Sequence, residues 1–536
     1  MTFNREIILY LSYYQLVKLL FPKMSKSSGE RLLFDLIHSL TKSEKRSFKL
    51  FVNKSGDVGE AKYMKIFDIM EKLRDYDEPL ILSKLKGMTK PQFSNQKTHL
   101  YGLVLASLRV SSLKQDIDIN LREQLDYIRV LYKKGLYDQS LRLLTRAKNI
   151  TGDYRKDLFQ IAILDYEKQI RSQQVFDLEE EYIDQLDREY RLAMKRFDNV
   201  QQFFTLAIKM KARFIERGMV KSDTEINNLK ALFYTKLPDY EEDKLAFNEK
   251  FYLYRAFYWF SYLTYDFQSC ITYAEKWVKI FEETGLDQKR RAGYLKGMNR
   301  LLQSTFRINA KTQFCMHYEH FLNFEKLQWD SMASNTQMLL LKYKAIQTFN
   351  MVFLTAQFEE HLPMIEKMLA DIETIEEVFD KHNRTVIYYK AGVYYFALKD
   401  YEKSASYFNR LIQDGDKIRS DLKGFARIIN LIIDYEMANE SHLERKLKSA
   451  YGYLNQQQNL GEFQGAILDF LSGIGKIYPQ EIKKGFKELK AKLEELEKNR
   501  FAKKTLLYFD IISWLEAKIQ DKTFAEIVRK KVADYN

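Results

Sequence analysis

Proline is almost missing from this chain. Pro22, Pro79, Pro91, Pro238, Pro363 and Pro479 are the 6 among 536 residues, and because proline breaks helix interiors, their scarcity leaves room for many long helices. Cysteine is rarer still. Cys270 and Cys315 alone make no disulfide framework, which excludes a small secreted scaffold and implies a reducing, cytoplasmic compartment. Catalytic signatures are absent as well. Gly473-Ile474-Gly475-Lys476 lacks the spacing and hydroxyl of a phosphate loop, and the chain has no H-E-x-x-H, C-x-x-C or G-x-S-x-G. The best cluster of metal-ligand types is Cys315-Met316-His317-Tyr318-Glu319-His320, but on a helix Cys315 and His317 point about 200° apart. Glu179-Glu180-Glu181 and Glu241-Glu242-Asp243 sit in helix-start or loop contexts that suit solvated charge better than acid–base chemistry. We expect no enzyme, no cofactor and no metal.

Long apolar runs are also lacking. Ile7 to Phe21 is short for a membrane span and is interrupted by Gln15 and Lys18. It lacks the basic start and small-residue cleavage site of a signal peptide. We read Met24 as the natural start, residues 1–27 as an N-terminal extension, and expect no membrane partner. The net charge of +13 is mild for this length and permits an acidic partner without demanding one. A chain this long exceeds one compact core, so several domains or an elongated array is expected.

Helical patterning fills the space these absences leave. Arg384 to Ile412 reads as two amphipathic helices joined at Lys399-Asp400-Tyr401. The first presents Tyr388, Ala391, Gly392, Tyr395 and Leu398 on one side; the second presents Tyr401, Ser404, Ala405, Phe408 and Leu411. Small residues among large rings let the two helices approach closely. The pattern A-G-x-x-Y … D-Y-x-x-S-x-x-x-F-x-x-L resembles a tetratricopeptide repeat, with Ser404 and Leu411 where alanine is usual and no closing proline at Asp416.

The pattern recurs. Corners at Tyr137, Phe267, Phe358, Tyr401 and His442 are separated by 130, 91, 43 and 41 residues, close to three, two, one and one times about 43. Weaker breaks fit the same period at Val175-Phe176-Asp177, Lys221-Ser222-Asp223, Asn309 to Thr312, Tyr478-Pro479-Gln480 and Gln520-Asp521-Lys522. The fold class expected is all-α: a superhelix of helical hairpins with a stretched period, preceded by a small helical domain that does not repeat. The segments are 28–115 for that domain, 116–478 for the array and 479–536 for C-terminal capping helices, where Phe486, Leu489, Leu493 and Leu496 form a buried stripe.

Two surfaces stand out. From Leu80 to Gln115 the chain carries Lys84, Lys86, Lys90, Lys97, Arg109 and Lys114 and no carboxylate. A short helix, Gly87 and a longer helix capped by Ser94 give the outline of a helix-turn-helix, so the alternative function is a nucleic-acid-linked regulator with the repeats as sensor arm. The leading reading comes from the repeats. In the family that they resemble, the first helix of each unit lines a concave groove. That register implies Arg122, Arg129, Tyr132 and Lys133, then Tyr252, Arg255, Trp259 and Tyr262, then Arg300 and Arg307. Tyr343, Asn350, Phe353, Tyr389 and Phe396 complete it. Arginine and aromatics anchor peptide interfaces, so we expect a scaffold that binds a protein or peptide segment, acidic or extended.

Overall fold

The structure is a computed structural model that describes residues 31–53, 60–85, 87–113, 116–174, 179–374, 380–414, 418–438, 443–457, 461–474, 481–498 and 509–534. Among these residues there are 24 α-helices and no strand. The chain divides into two compact units, Met1–Tyr190 and Arg191–Asn536. The division falls inside a helix and away from the borders expected at 115 and 478.

The first unit begins with α1 (Leu32–Ser39), α2 (Lys42–Asn53), α3 (Glu60–Lys72), α4 (Glu78–Lys84) and α5 (Lys90–Ser112). These bury a core of their own around Ile37, Phe48, Phe67, Phe93 and Leu100. Thr41 and Glu44 form the expected reciprocal cap, with bonds of 2.8 and 3.2 Å. The cap of α5 is Thr89, not Ser94: Thr89 and Gln92 bond each other's backbone N–H, and Pro91 fits the first turn. A second core packs α6 (Ile117–Lys133), α7 (Tyr137–Tyr154) and α8 (Asp157–Arg171) through Leu121, Ile128, Leu144 and Ile163.

Next comes α9 (Glu180–Arg217), a single helix of 38 residues. A regular array would have turned midway along this stretch. No proline or glycine interrupts Glu180–Arg217, so nothing stops the helix and the hairpin period is broken here.

The second unit continues with α10 (Asp223–Lys236) and then runs as pairs. These are α11 (Phe247–Leu263) with α12 (Phe267–Glu283), α13 (Arg291–Arg307) with α14 (Lys311–Gln328), and α15 (Ser334–Thr355) with α16 (Leu362–Thr374). Then follow α17 (Lys381–Ala397) with α18 (Tyr401–Gln413), α19 (Ser420–Glu436) with α20 (Leu443–Gln456), α21 (Glu462–Gly473) with α22 (Ile482–Glu497), and α23 (Ile511–Gln520) with α24 (Phe524–Asp534). Consecutive helices pack in pairs, and the first helices α13, α15, α17, α19 and α21 stack side by side, an all-α superhelical arrangement.

The corners share one backbone device. Gly135, Tyr265, Asn309, Lys399 and Asp521 adopt left-handed φ of 54° to 74°. The residue after each donates its N–H to the carbonyl five positions back, at 2.9–3.0 Å: Leu136, Asp266, Ala310, Asp400 and Lys522. This closes the last turn of the first helix and reverses the chain. Asp266 and Asp400 then cap the second helix through Ser269 and Lys403 N–H. The corners expected at Val175–Asp177, His442 and Tyr478–Gln480 lie outside the described residues.

The helices of a pair meet at a small residue that also makes a bond. Ser140 Oγ donates to Ile128 O at 2.9 Å and Ser404 Oγ to Gly392 O at 2.7 Å, while Cys270 Sγ lies 3.6 Å from Tyr258 O, each twelve residues back. A Cβ on Gly392 would sit 2.6 Å from the Phe408 ring, so only glycine permits this crossing. The last pair does more than stack on its neighbour. Trp514 Nε1 and Lys518 Nζ bond Glu436 at the end of α19, at 2.7 and 2.5 Å. Phe509 and Phe524 pack on Phe396 of α17, and Arg529 reaches Ala356 O and Glu359 beyond α15.

Candidate cationic inner face

Each first helix of the second unit has one side against its hairpin partner and one side left over. That remaining side carries the cations. Arg255 on α11, Lys296, Arg300 and Arg307 on α13, and Lys390 on α17 share it with Lys211 of α9. None of these six makes an ion pair with a carboxylate among the described residues.

Their positions follow from helical spacing. Lys296, Arg300 and Arg307 are four and seven residues apart, one stripe of α13. Arg255 lies over the rings of Tyr252, Phe251 and Trp277, 5.1–5.6 Å from their centroids, and Arg300 lies 4.6 Å over Trp259. Arg307 donates to Tyr262 Oη at 3.2 Å. Lys211 and Lys296 keep access to water, with part of each side chain packed against protein.

Burial lowers the pKa of Lys211, Arg255 and Lys296, and mutual repulsion with Arg300 lowers each further. Asp380, at the N-terminus of α17, also lies within Coulombic reach of Lys211 on α9. Helices distant in the chain thus face a common space, which is what a row of helices curling inward produces.

Asp380 is the acid that Lys211 senses, and it is already engaged. Burial alone would raise its pKa, but hydrogen bonds from Asn383 and Lys342 outweigh this and hold it at about 2. Lys342 Nζ is 2.9 Å away. Beside α17 and α18, by contrast, cations meet carboxylates. The cavity of about 540 Å³ there is lined by Arg410 with Glu373 at 2.6 Å and Arg384 with Asp414 at 3.9 Å.

The expected groove residues divide into three groups. Arg255, Arg300 and Arg307 come together on the inner face. Trp259, Tyr343, Asn350, Tyr389 and Phe396 are each 9% exposed or less and pack between helices, while Tyr252 stacks against Phe204 and Phe353 is half-buried. The long helices bring neighbouring rings into register, so the aromatics became core. Arg122, Arg129, Tyr132 and Lys133 belong to α6 in the other unit, where Arg129 bonds Gln169 and lies over Tyr132. Lys211, Lys296 and Lys390 were missed. The four-residue step from Lys296 to Arg300 was the readable signal.

The basic N-terminal stretch differs from its appearance in the sequence. Lys97 is turned inward, 3.0 Å from Glu78 and bonded to Tyr76 Oη at 2.8 Å, with both charged side chains 13% exposed. Lys90 also pairs with Glu78, at 3.2 Å, and Arg109 with Asp126, at 3.5 Å. Lys84 is exposed, whereas Lys86 and Lys114 lie outside the described residues. On α14, His320 Nε2 sits 3.4 Å from Tyr294 Oη, and no group of three metal-ligating side chains occurs among the described residues. No described helix is long and apolar enough to cross a membrane. No family model, curated protein or solved structure matches the chain.

Proposed function

We propose that the chain is a non-enzymatic scaffold whose second unit binds an extended acidic segment of a partner protein along its inner face. The hairpins are, on this reading, divergent tetratricopeptide-like units with a lengthened repeat. The supporting observation is the set of six cations that face a common space without carboxylate partners. Like charges held facing one another repel, a strain that an acidic ligand would relieve. Burial of the inner-face rings argues for a peptide over single-stranded nucleic acid, which needs open aromatic faces for base stacking.

Binding of a fluorescent glutamate-rich peptide to the full chain tests this. The Arg255→Glu, Arg300→Glu double variant should weaken binding about 100-fold, and the Lys84→Glu, Lys90→Glu variant of the first unit should leave it within about twofold. Equal loss from both variants, or no loss from the first, overturns the reading.

A further inference from the structure

Three neighbouring first helices are joined by a polar relay inside an otherwise apolar wall. Lys390 Nζ on α17 donates to Asn350 Oδ1 at 2.6 Å, Asn350 Nδ2 to Gln347 Oε1 at 2.7 Å, and Gln347 Nε2 to Asn299 Oδ1 on α13 at 2.8 Å. Asn299, Gln347 and Asn350 are buried. Every donor in the relay points away from Lys390 toward α13, so the relay fixes the amine but satisfies just one of its N–H groups. No other protein acceptor for Lys390 occurs among the described residues.

The rest of its surroundings is cationic or aromatic. Arg307 of α13 and Arg419 ahead of α19 are its charged neighbours, and the Phe306 and Phe353 rings lie 4.9 and 5.3 Å from Nζ. His382, in the first turn of α17, also senses Arg419 and Arg300, set against the carboxylates of Asp380 and Asp421. From α15 the relay presents the neutral Asn350. Among the described residues, Asp421 is the carboxylate bonded to Arg419, with two bonds of 2.9 Å.

We propose that this end of the inner face is a phosphoryl subsite: the acidic segment carries a phosphomonoester that seats on Lys390 with Arg307 and Arg419. The proposal rests on the acidic-segment reading above and names the group that reading leaves open. Two free N–H groups on a fixed amine, flanked by guanidinium groups, call for several acceptor oxygens on one atom. A phosphoryl dianion supplies three oxygens and nearly two charges at neutral pH, whereas a carboxylate supplies two oxygens and one charge.

Proton linkage gives the subsite a signature. Burial, then repulsion from Arg307 and Arg419, pushes the Lys390 amine down to about 7. At about pH 8 the free protein holds this amine largely neutral while the ligand is already dianionic, so binding must take up a proton.

Calorimetric titration of the full chain in two buffers of different ionisation enthalpy measures that uptake. The probes are a glutamate-rich peptide with a central phosphoserine and the same peptide with serine. The phosphopeptide should bind about tenfold tighter, with uptake approaching one proton. Lys390→Met, which also removes one of the six inner-face cations and so weakens the serine peptide somewhat, should remove both the preference and the uptake. Lys390→Arg, permanently charged, should keep the preference and lose the uptake.

Equal affinity for the two peptides overturns the phosphoryl subsite and leaves the acidic-segment reading standing. Failure of both peptides to bind overturns both readings. Tighter binding of an oligonucleotide than of the phosphopeptide also overturns the proposal. A melting curve for each variant guards against loss of fold.

Discussion

The lysines of the first unit and the cations of the second unit's inner face look alike in sequence and unlike in space. From Leu80 to Gln115 the sequence shows basic residues and no acid, yet folding brings Glu78 to Lys90 and Lys97, and Asp126 to Arg109. On the inner face the outcome differs. Arg255, Arg300 and Lys390 have no acid within five residues on either side, and among the described residues folding brings them none, because acids on the second helices pair with the neighbouring second helix, as Glu366 does with Lys403 at 3.0 Å and Glu373 with Arg410 at 2.6 Å. A run of one sign in a sequence is therefore a poor guide to open charge. What matters is which side of its helix each residue occupies and whether a carboxylate shares that side.

The comparison breaks first at Glu78. Its carboxylate holds a largely enclosed Lys97 and the Tyr76 hydroxyl, so Glu78→Ala should cost the first unit about 2 kcal/mol, more than an exposed pair and less than a fully buried one. Burial would raise the Glu78 pKa, but bonds from Tyr76 and Lys97 outweigh it and leave the carboxyl below its ordinary value. Its stabilisation is thus present above the unfolded carboxylate pKa and is lost as pH falls through the lower folded value. Hydrogen exchange of the α1–α5 amides reads this directly. Unchanged protection in the variant would show that the pair holds nothing together.

Why the fold was more legible than the site follows from the same geometry. Outside α9 the period is legible because five corners share one backbone device, and any residue that tolerates left-handed φ can occupy it. Of the corner residues Gly135 and Asn309 announce themselves, while Tyr265 and Lys399 do not. The 38-residue α9 was written in the absence of glycine and proline, but extrapolating the period across it hid that. Arg255 and Arg300 were named by the register of the family that the repeats resemble, and both reach the inner face. Trp259 and Tyr343 were named by the same register and are core, since a register gives direction and not depth. Lys390 was missed because its meaning depends on Asn350, Arg307 and Arg419, which only folding assembles.

Lys390 carries the next effect. Its amine titrates at about 7 when folded, against an ordinary value of 10.5. Between those values the unfolded chain holds more protons, so the second unit should gain stability as pH rises from about 7 to about 9, by on the order of 1 kcal/mol per pH unit at most. Lys390→Met should flatten that slope and raise stability at neutral pH by about 1 kcal/mol, because an apolar side chain replaces an unpaired enclosed cation. All four tryptophans, Trp259, Trp277, Trp329 and Trp514, lie in the second unit, so their fluorescence follows its unfolding alone. A slope unchanged in the variant would place the titration elsewhere.

The smallest effect separates the two units by sign. Raising sodium chloride from about 0.1 M to about 1 M shortens the screening length from about 10 Å to about 3 Å. In the first unit this weakens attractions such as Lys90–Glu78 and should lower stability by a few tenths of a kcal/mol. In the second unit it weakens repulsion among Lys211, Arg255, Lys296 and Arg300, so stability should rise by a similar amount. Sulfate at matched ionic strength sharpens the contrast. An anion that merely screens should act like chloride, apart from the general salting-out gain common to both units. One that occupies the inner face adds a mass-action term confined to the tryptophan signal. That added term should vanish in the Arg255→Glu, Arg300→Glu variant. If it persists there, the sulfate is acting through hydration of the whole surface, and the inner face is no more an anion site than the lysines around Glu78.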